Sequence, residues 1–258
     1  MSKLFQNEGF ATTAEVLTKS LSLSQPPVSI SFADSIPAGL DAATNRVPAG
    51  CRFWEEAAHQ TFVTGADDHS LCAIGVYTHN LQPSAGYQAD LGDALRVFNQ
   101  LAYVREEDIP AIPVLQSRHQ YIIYSPLAES PLPPDVVILF VHANQNLILS
   151  EATQQVESQN PPAMGRPACA VVPQVINTGR AALSLGCCGA RAYLDILTDG
   201  MAVFAIPGAK LDAYAERIQL LAKANSTLAA FHKMRRQSIE AGGAPTVKES
   251  LAAFAAAN

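Results

Sequence analysis

The chain has 258 residues, 48% hydrophobic and 16% charged, with 17 Lys and Arg against 23 Asp and Glu for a formal charge of −6. That length and composition suit one compact domain with a sizeable core and exclude a disordered or fibrous chain. The acidic balance excludes the broad basic face that nucleic acid demands, and the short run Lys233, Arg235 and Arg236 reads as a solvated helix face.

In chain order, Met1 to Gln6 lacks the apolar centre of a signal peptide. Phe10, Ala14, Val16, Leu17 and Leu21 recur at helical spacing and predict a helix over 10–23, stopped by Pro26 and Pro27. Residues 28–32 (Val-Ser-Ile-Ser-Phe) alternate at period two and predict a strand with one buried face. A Pro-, Asp- and Gly-rich loop over 34–48 leads to Cys51, which opens a helix running to His59. After a turn at 65–68, a second helix over 69–79 carries Cys72 near its start.

An amphipathic helix is predicted over 91–104, then strands over 120–124 and 136–141. The second of these is the nearest approach to a membrane span, and it is only strand-sized. Asn144, Gln145 and Asn146 read as a turn before a helix over 147–156. Cys169 stands near the start of a helix through Ile176 that Gly179 closes. A strand over 181–185 then meets Gly186-Cys187-Cys188-Gly189, and a helix over 190–196 follows. A last strand at 201–206 and a long helix over 211–239 complete the pattern.

The expected fold is α+β: a mixed sheet with helices packed on it, two weakly related halves and a long C-terminal helix. The halves are expected at about 28–110 and 120–208 and the helix at 209–241, all within a single domain over 1–243, followed by an alanine-rich tail over 244–258. The suspicion of duplication comes from the thiols. Cys51 and Cys72 each open a helix, and Cys169 and Cys187 repeat the arrangement at a similar interval.

With no leader and no membrane span, the protein is expected in the cytoplasm, where thiols stay reduced. Five cysteines are therefore read as free, metal-bound or catalytic. A strand-to-helix turn offers glycine freedom, free N–H groups and a helix dipole that lowers a thiol pKa. Cys51, Cys72, Cys169 and Cys187 then form a ligand set for an iron–sulfur cluster, [4Fe–4S] first and zinc as the alternative. Cys188 is left over, either as a reactive thiol or as an alternative ligand to Cys187.

Arg52 and Arg191 are candidates to steer an anionic small molecule, and His69 is a candidate acid–base group. His79 and His142 are other possible bases. The chemistry is either redox or Lewis-acid lyase or hydratase work. The alternatives are a cofactor-free hydrolase or transferase with Cys187 or Cys51 as nucleophile, and a small-molecule binding module. Against all three stands the plain reading of cysteines as small buried side chains. No phosphate loop, dinucleotide fingerprint or serine elbow is present, and a homo-oligomer stays open.

Several short motifs occur in a telling order: Pro27-Val28-Ser29-Ile30-Ser31-Phe32, Ala49-Gly50-Cys51, Leu71-Cys72-Ala73-Ile74-Gly75, Ala168-Cys169-Ala170, Gly186-Cys187-Cys188-Gly189-Ala190-Arg191 and Ala205-Ile206-Pro207. In that order, from about residue 28 to 211, the sequence resembles the domain of unknown function 169 family of bacterial and archaeal proteins, mostly from anaerobes. The resemblance implies a prokaryotic cytoplasmic protein with recurring cysteines, in keeping with an oxygen-sensitive cofactor. It implies no substrate.

Overall fold

The computed structural model describes residues 3–41, 47–84, 87–164 and 167–257. Its strands are β1 (Val28–Ala33), β2 (Phe62–Gly65), β3 (Tyr121–Pro126), β4 (Val136–His142), β5 (Ala163–Met164), β6 (Ala182–Ser184) and β7 (Met201–Pro207). They form one sheet in the order β2-β3-β1-β4-β7-β6-β5. All neighbours are antiparallel except the short edge pair β5 and β6, so the sheet is mixed. The helices are α1 (Lys3–Leu21), α2 (Arg52–Glu56), α3 (Ala73–Thr78), α4 (Tyr87–Gln100), α5 (Ala143–Glu157), α6 (Val171–Thr178), α7 (Leu211–Glu240) and α8 (Val247–Ala257). The fold is α+β.

Helices cover both faces of the sheet, which explains the unbroken apolar run of β4. Val137, Leu139 and Val141 join Ala202, Phe204 and Ile206 of β7 against α1, α5 and α7. Val136, Ile138 and Phe140 join Met201, Val203 and Ala205 on the opposite face, with Phe53 and Trp54 of α2 and the valines of α6. The cysteines lie on this second face. Strand β1 departs from expectation, because Ser29 and Ser31 are buried as well. The 3₁₀ turn Leu127–Glu129 and the loop after it cover that side. There Ser130 Oγ bonds Ser29 Oγ at 2.7 Å, and Pro133 O accepts from Ser31 Oγ at 3.2 Å.

The strand order contains a near-twofold relation. In the first half, β1 is central, β2 lies farthest out, and β3 returns between them. In the second half, β4 is central, β6 lies farther out, and β7 returns between them. The two central strands pair antiparallel, Val28 with Ile138 and Ile30 with Val136, so a twofold axis normal to the sheet relates the halves. Under it Cys51 corresponds to Cys169 and Cys72 to Cys187, each first thiol between a central and an outer strand and each second thiol between an outer strand and the returning one. The returning strand β3 places the boundary after Pro126, later in the chain than the sequence spacing indicated.

Two local expectations change, at 144–146 and at 190–196. The supposed turn at 144–146 lies inside α5, which starts directly after β4. Gln145 makes this abrupt start workable: its Oε1 accepts from His142 N–H at 2.6 Å, and its amide donates to Leu21 O and Ser22 O. The predicted helix over 190–196 is instead one turn of π-helix, Gly189–Tyr193. The tail forms α8, capped reciprocally by Thr246 and Glu249 and packed through Phe254 edge-on to Phe231.

The link from β7 into α7 is tight. A Cβ on Gly208 would fall 1.6 Å from Pro134 O, a backbone atom that cannot swing aside. Gly208→Ala is expected to lower unfolding stability by about 3 kcal/mol, read from urea melts, because the junctions β3–β4 and β7–α7 must separate.

Candidate functional site

A cavity of about 1230 Å³ opens on the cysteine-bearing face, and Cys51, Cys72, Cys169, Cys187 and Cys188 all line it. They reach it from four separate short turns, Cys187 and Cys188 sharing one. Cys51 precedes α2 and Cys72 precedes α3, where its Sγ accepts from Gly75 N–H at 3.3 Å. Cys169 sits in the 3₁₀ turn before α6, and Cys187 follows β6. The twofold correspondence extends to burial: Cys51 and Cys169 are 6% and 8% exposed, while Cys72 and Cys187 are both half-buried. All five cysteines are free.

The electrostatics run against the helix-dipole expectation. Burial pushes the Cys51 thiol up, and Cys72 and Cys187 add to the rise. Burial raises Cys169 well above the ordinary thiol range, with Cys72, Cys51 and Cys187 contributing. Cys72 is raised by burial as well, although the amides of Gly50 and Gly75 oppose it. Helices of five and six residues present too little dipole to offset desolvation. These three thiols are therefore protonated at neutral pH. Cys169 has a partner ready for its ionised form, Thr78 Oγ1 at 3.3 Å from Sγ. The Tyr124 hydroxyl is also held up by burial and by the same three sulfurs. Among the described residues, no group of three or more His, Cys, Asp or Glu side chains is spaced to hold a metal ion.

A family model covers residues 16–217. The chain belongs to the domain of unknown function 169 family, described as uncharacterised ArCR. No curated protein and no solved structure matches the chain. The span matched to the family contains all seven strands and all five cysteines, and it stops early in α7. Among the described residues, no helix is long and apolar enough to cross a membrane.

Two histidines of this family member lie buried beside the thiols. Thr64 Oγ1 sits 2.9 Å from His69 Nε2 and 3.4 Å from Ile122 O, so Nε2 is partnered and Nδ1 is the free ring nitrogen. No partner reaches Nδ1 among the described residues, and a Cβ on Gly50 would come within 2.9 Å of it. For His79, Nδ1 lies 2.8 Å from Gly75 O, a carbonyl that only accepts, which leaves Nε2 bare and unpartnered. Two buried ring nitrogens without partners cost about 1–3 kcal/mol each. Burial lowers the His69 pKa to about 3, with His79 assisting, and lowers that of His79 to about 4. Both rings are neutral at physiological pH.

The remaining candidates divide. Arg52 is paired with Glu55 and Glu56 on the exposed side of α2 and does not line the cavity. Arg191 donates to the carbonyls of Leu185, Leu197, Thr198 and Met201, so its guanidinium is spent on holding the 185–201 loop. It does not line the cavity either. Cys188 is exposed at the cavity, and its N–H donates to Tyr103 Oη at 3.2 Å. His69 lines the cavity, whereas His142 does not. Sequence spacing gave no sign of Tyr124 or Thr78, and marked Gly50 only as the neighbour of Cys51. Each acts through a neighbour that only the folded chain supplies.

The neutral histidines set an acid limit on stability. Their folded pKa values lie below the ordinary 6.5, so their contribution is complete above about pH 6.5 and is lost as pH falls toward 4 and 3. Between pH 6.5 and 5 each should cost roughly 2 kcal/mol, because the unfolded chain takes up protons that the native rings refuse. Urea midpoints measured at pH 7 and pH 5 should show this fall, and His69→Gln and His79→Gln should each make it shallower.

Proposed function

We propose that Cys51, Cys72, Cys169 and Cys187 hold a metal centre, an iron–sulfur cluster first and zinc second, beside a cavity where the protein acts on a small molecule. One observation carries this reading: four thiols from four separate turns, two from each half, line a single cavity. Packing alone gives no reason to bring sulfur from every one of those turns to one wall. The ionisation of Cys51 and Cys169 is opposed by burial and then by the other thiols. A cation among them relieves both penalties, and loading releases the thiol protons. The sulfurs would have to draw inward around it. Thr78 stands ready to turn its hydroxyl hydrogen toward the Cys169 thiolate.

Such a centre supplies electron transfer if thiolates complete its ligation, or Lewis-acid chemistry if one position stays open. A cytoplasmic setting, where thiols stay reduced, suits either. The second reading, a cofactor-free hydrolase or transferase, now favours Cys188, the one exposed thiol at the cavity. Burial weighs against Cys51 as a nucleophile because it keeps that sulfur protonated. A plain binding module is the third.

Anaerobic purification with iron, zinc and sulfide analysis separates these readings. The expected protein is coloured and metal-loaded; single Ser substitutions at Cys51, Cys72, Cys169 and Cys187 each remove most of the metal, and Cys188→Ser retains it. Metal content unchanged in all four variants removes the ligand set. A colourless, metal-free protein that alkylation inactivates establishes the nucleophile instead, and one indifferent to alkylation leaves the binding module.

A further inference from the structure

The chemistry of the cavity wall defines what it can take. Beyond the thiols, its sides are apolar or aromatic, with Trp54, Ile74, Leu95, Phe98, Tyr103 and Tyr193 among them. Among the described residues that line it there is no lysine or arginine, and the one carboxylate, Asp108, is paired with Arg105 at 2.6 Å. The two histidines are neutral. An anion entering this space sheds its hydration and meets no counter-charge. Loading the thiols does not change that sign, because four thiolates outweigh a divalent cation. The volume, about 1230 Å³, exceeds what a single-ring metabolite fills.

We infer that the cavity binds an uncharged, largely apolar ring molecule of drug-like size, held against Phe98 and Tyr193 with the thiols at one side. This replaces anion steering by Arg52 and Arg191 as the basis of selectivity. The inference rests on the reading of this cavity as the functional site and names its ligand class. It holds whether or not the thiols carry a metal. Helix α4 supplies the adjustable wall through Ala94, Leu95 and Phe98, none of which is fully buried, so substitutions there leave the sheet intact.

A matched pair of fluorescent probes provides the test: N-phenylnaphthylamine, which is uncharged, and anilinonaphthalene sulfonate, the same rings bearing a sulfonate. Titrated into the full-length, anaerobically purified protein, the uncharged probe should saturate a single site and bind at least about tenfold more tightly than the sulfonate. Leu95→Asp and Ala94→Trp, the first charging the wall and the second filling the space, should each weaken that binding by about tenfold or more with circular dichroism unchanged. Equal or tighter binding of the sulfonate overturns the inference. So does uncharged-probe binding that both variants leave untouched, which places the probe elsewhere. Metal analysis of the same preparations separates the two claims. A metal-free protein that still binds the probe sinks the metal centre and leaves the ligand class standing. A metal-loaded protein that binds neither probe does the reverse.

Discussion

The antiparallel pairing of β1 with β4 is the constraint on which the rest depends. It is brief, Val28 to Ile138 through Ile30 to Val136, yet it joins β2-β3-β1 to β4-β7-β6 in a near-twofold arrangement, with β5 added at the far edge. Because side chains alternate along a strand, this register sends Val28, Ile30, Val136 and Ile138 to the same face. The cysteine-bearing turns of both units then lie on that face, while α5 crosses on the other. A one-residue slip would turn one unit over and send its thiols to the side occupied by α1, α5 and α7. That the thiols line one cavity is thus tied to register, and Cys51 matches Cys169 in burial as Cys72 matches Cys187.

On that face, burial dominates Cys51, Cys72, Cys169, His69, His79 and Tyr124. It overcomes the short helix termini at Cys51 and Cys72, keeps the thiols of Cys51, Cys72 and Cys169 protonated, and leaves His69 and His79 as neutral rings, each with one unpartnered nitrogen. Phe53 and Tyr124 pack against His69 at ring separations of 4.9 and 6.4 Å, and Phe62 backs both of them. A surface that withholds charge from its own groups suits ligands that carry none, and it gives a cation bound among sulfurs a large advantage over water as their partner.

Much of the fold was legible because its signals are local. The apolar run of β4, the alternation of β1, the breaker-free stretch of α7 and the glycines and prolines beside each cysteine all rest on near neighbours in the chain. Edge strands β2 and β5 were missed because four and two residues carry too little periodicity. The turn read at Asn144 became helix because Gln145 finds Leu21 and Ser22, more than a hundred residues earlier. The recurring thiols pointed toward duplication, but not to the insertion of β3 between β2 and β1, which only pairing decides. Arg191 looked like an anion clamp in sequence. Its five donors go instead to carbonyls that an irregular loop leaves without a ladder, a demand invisible until that loop is folded.

The account turns on sulfur from both halves serving one centre. X-ray absorption at the metal edge of the anaerobically purified protein reads that directly. A first shell of sulfur at about 2.3 Å, lost on substitution of Cys51 in one half and equally on substitution of Cys169 in the other, is the predicted result. A shell of oxygen and nitrogen alone, or sulfur that survives both substitutions, would contradict it.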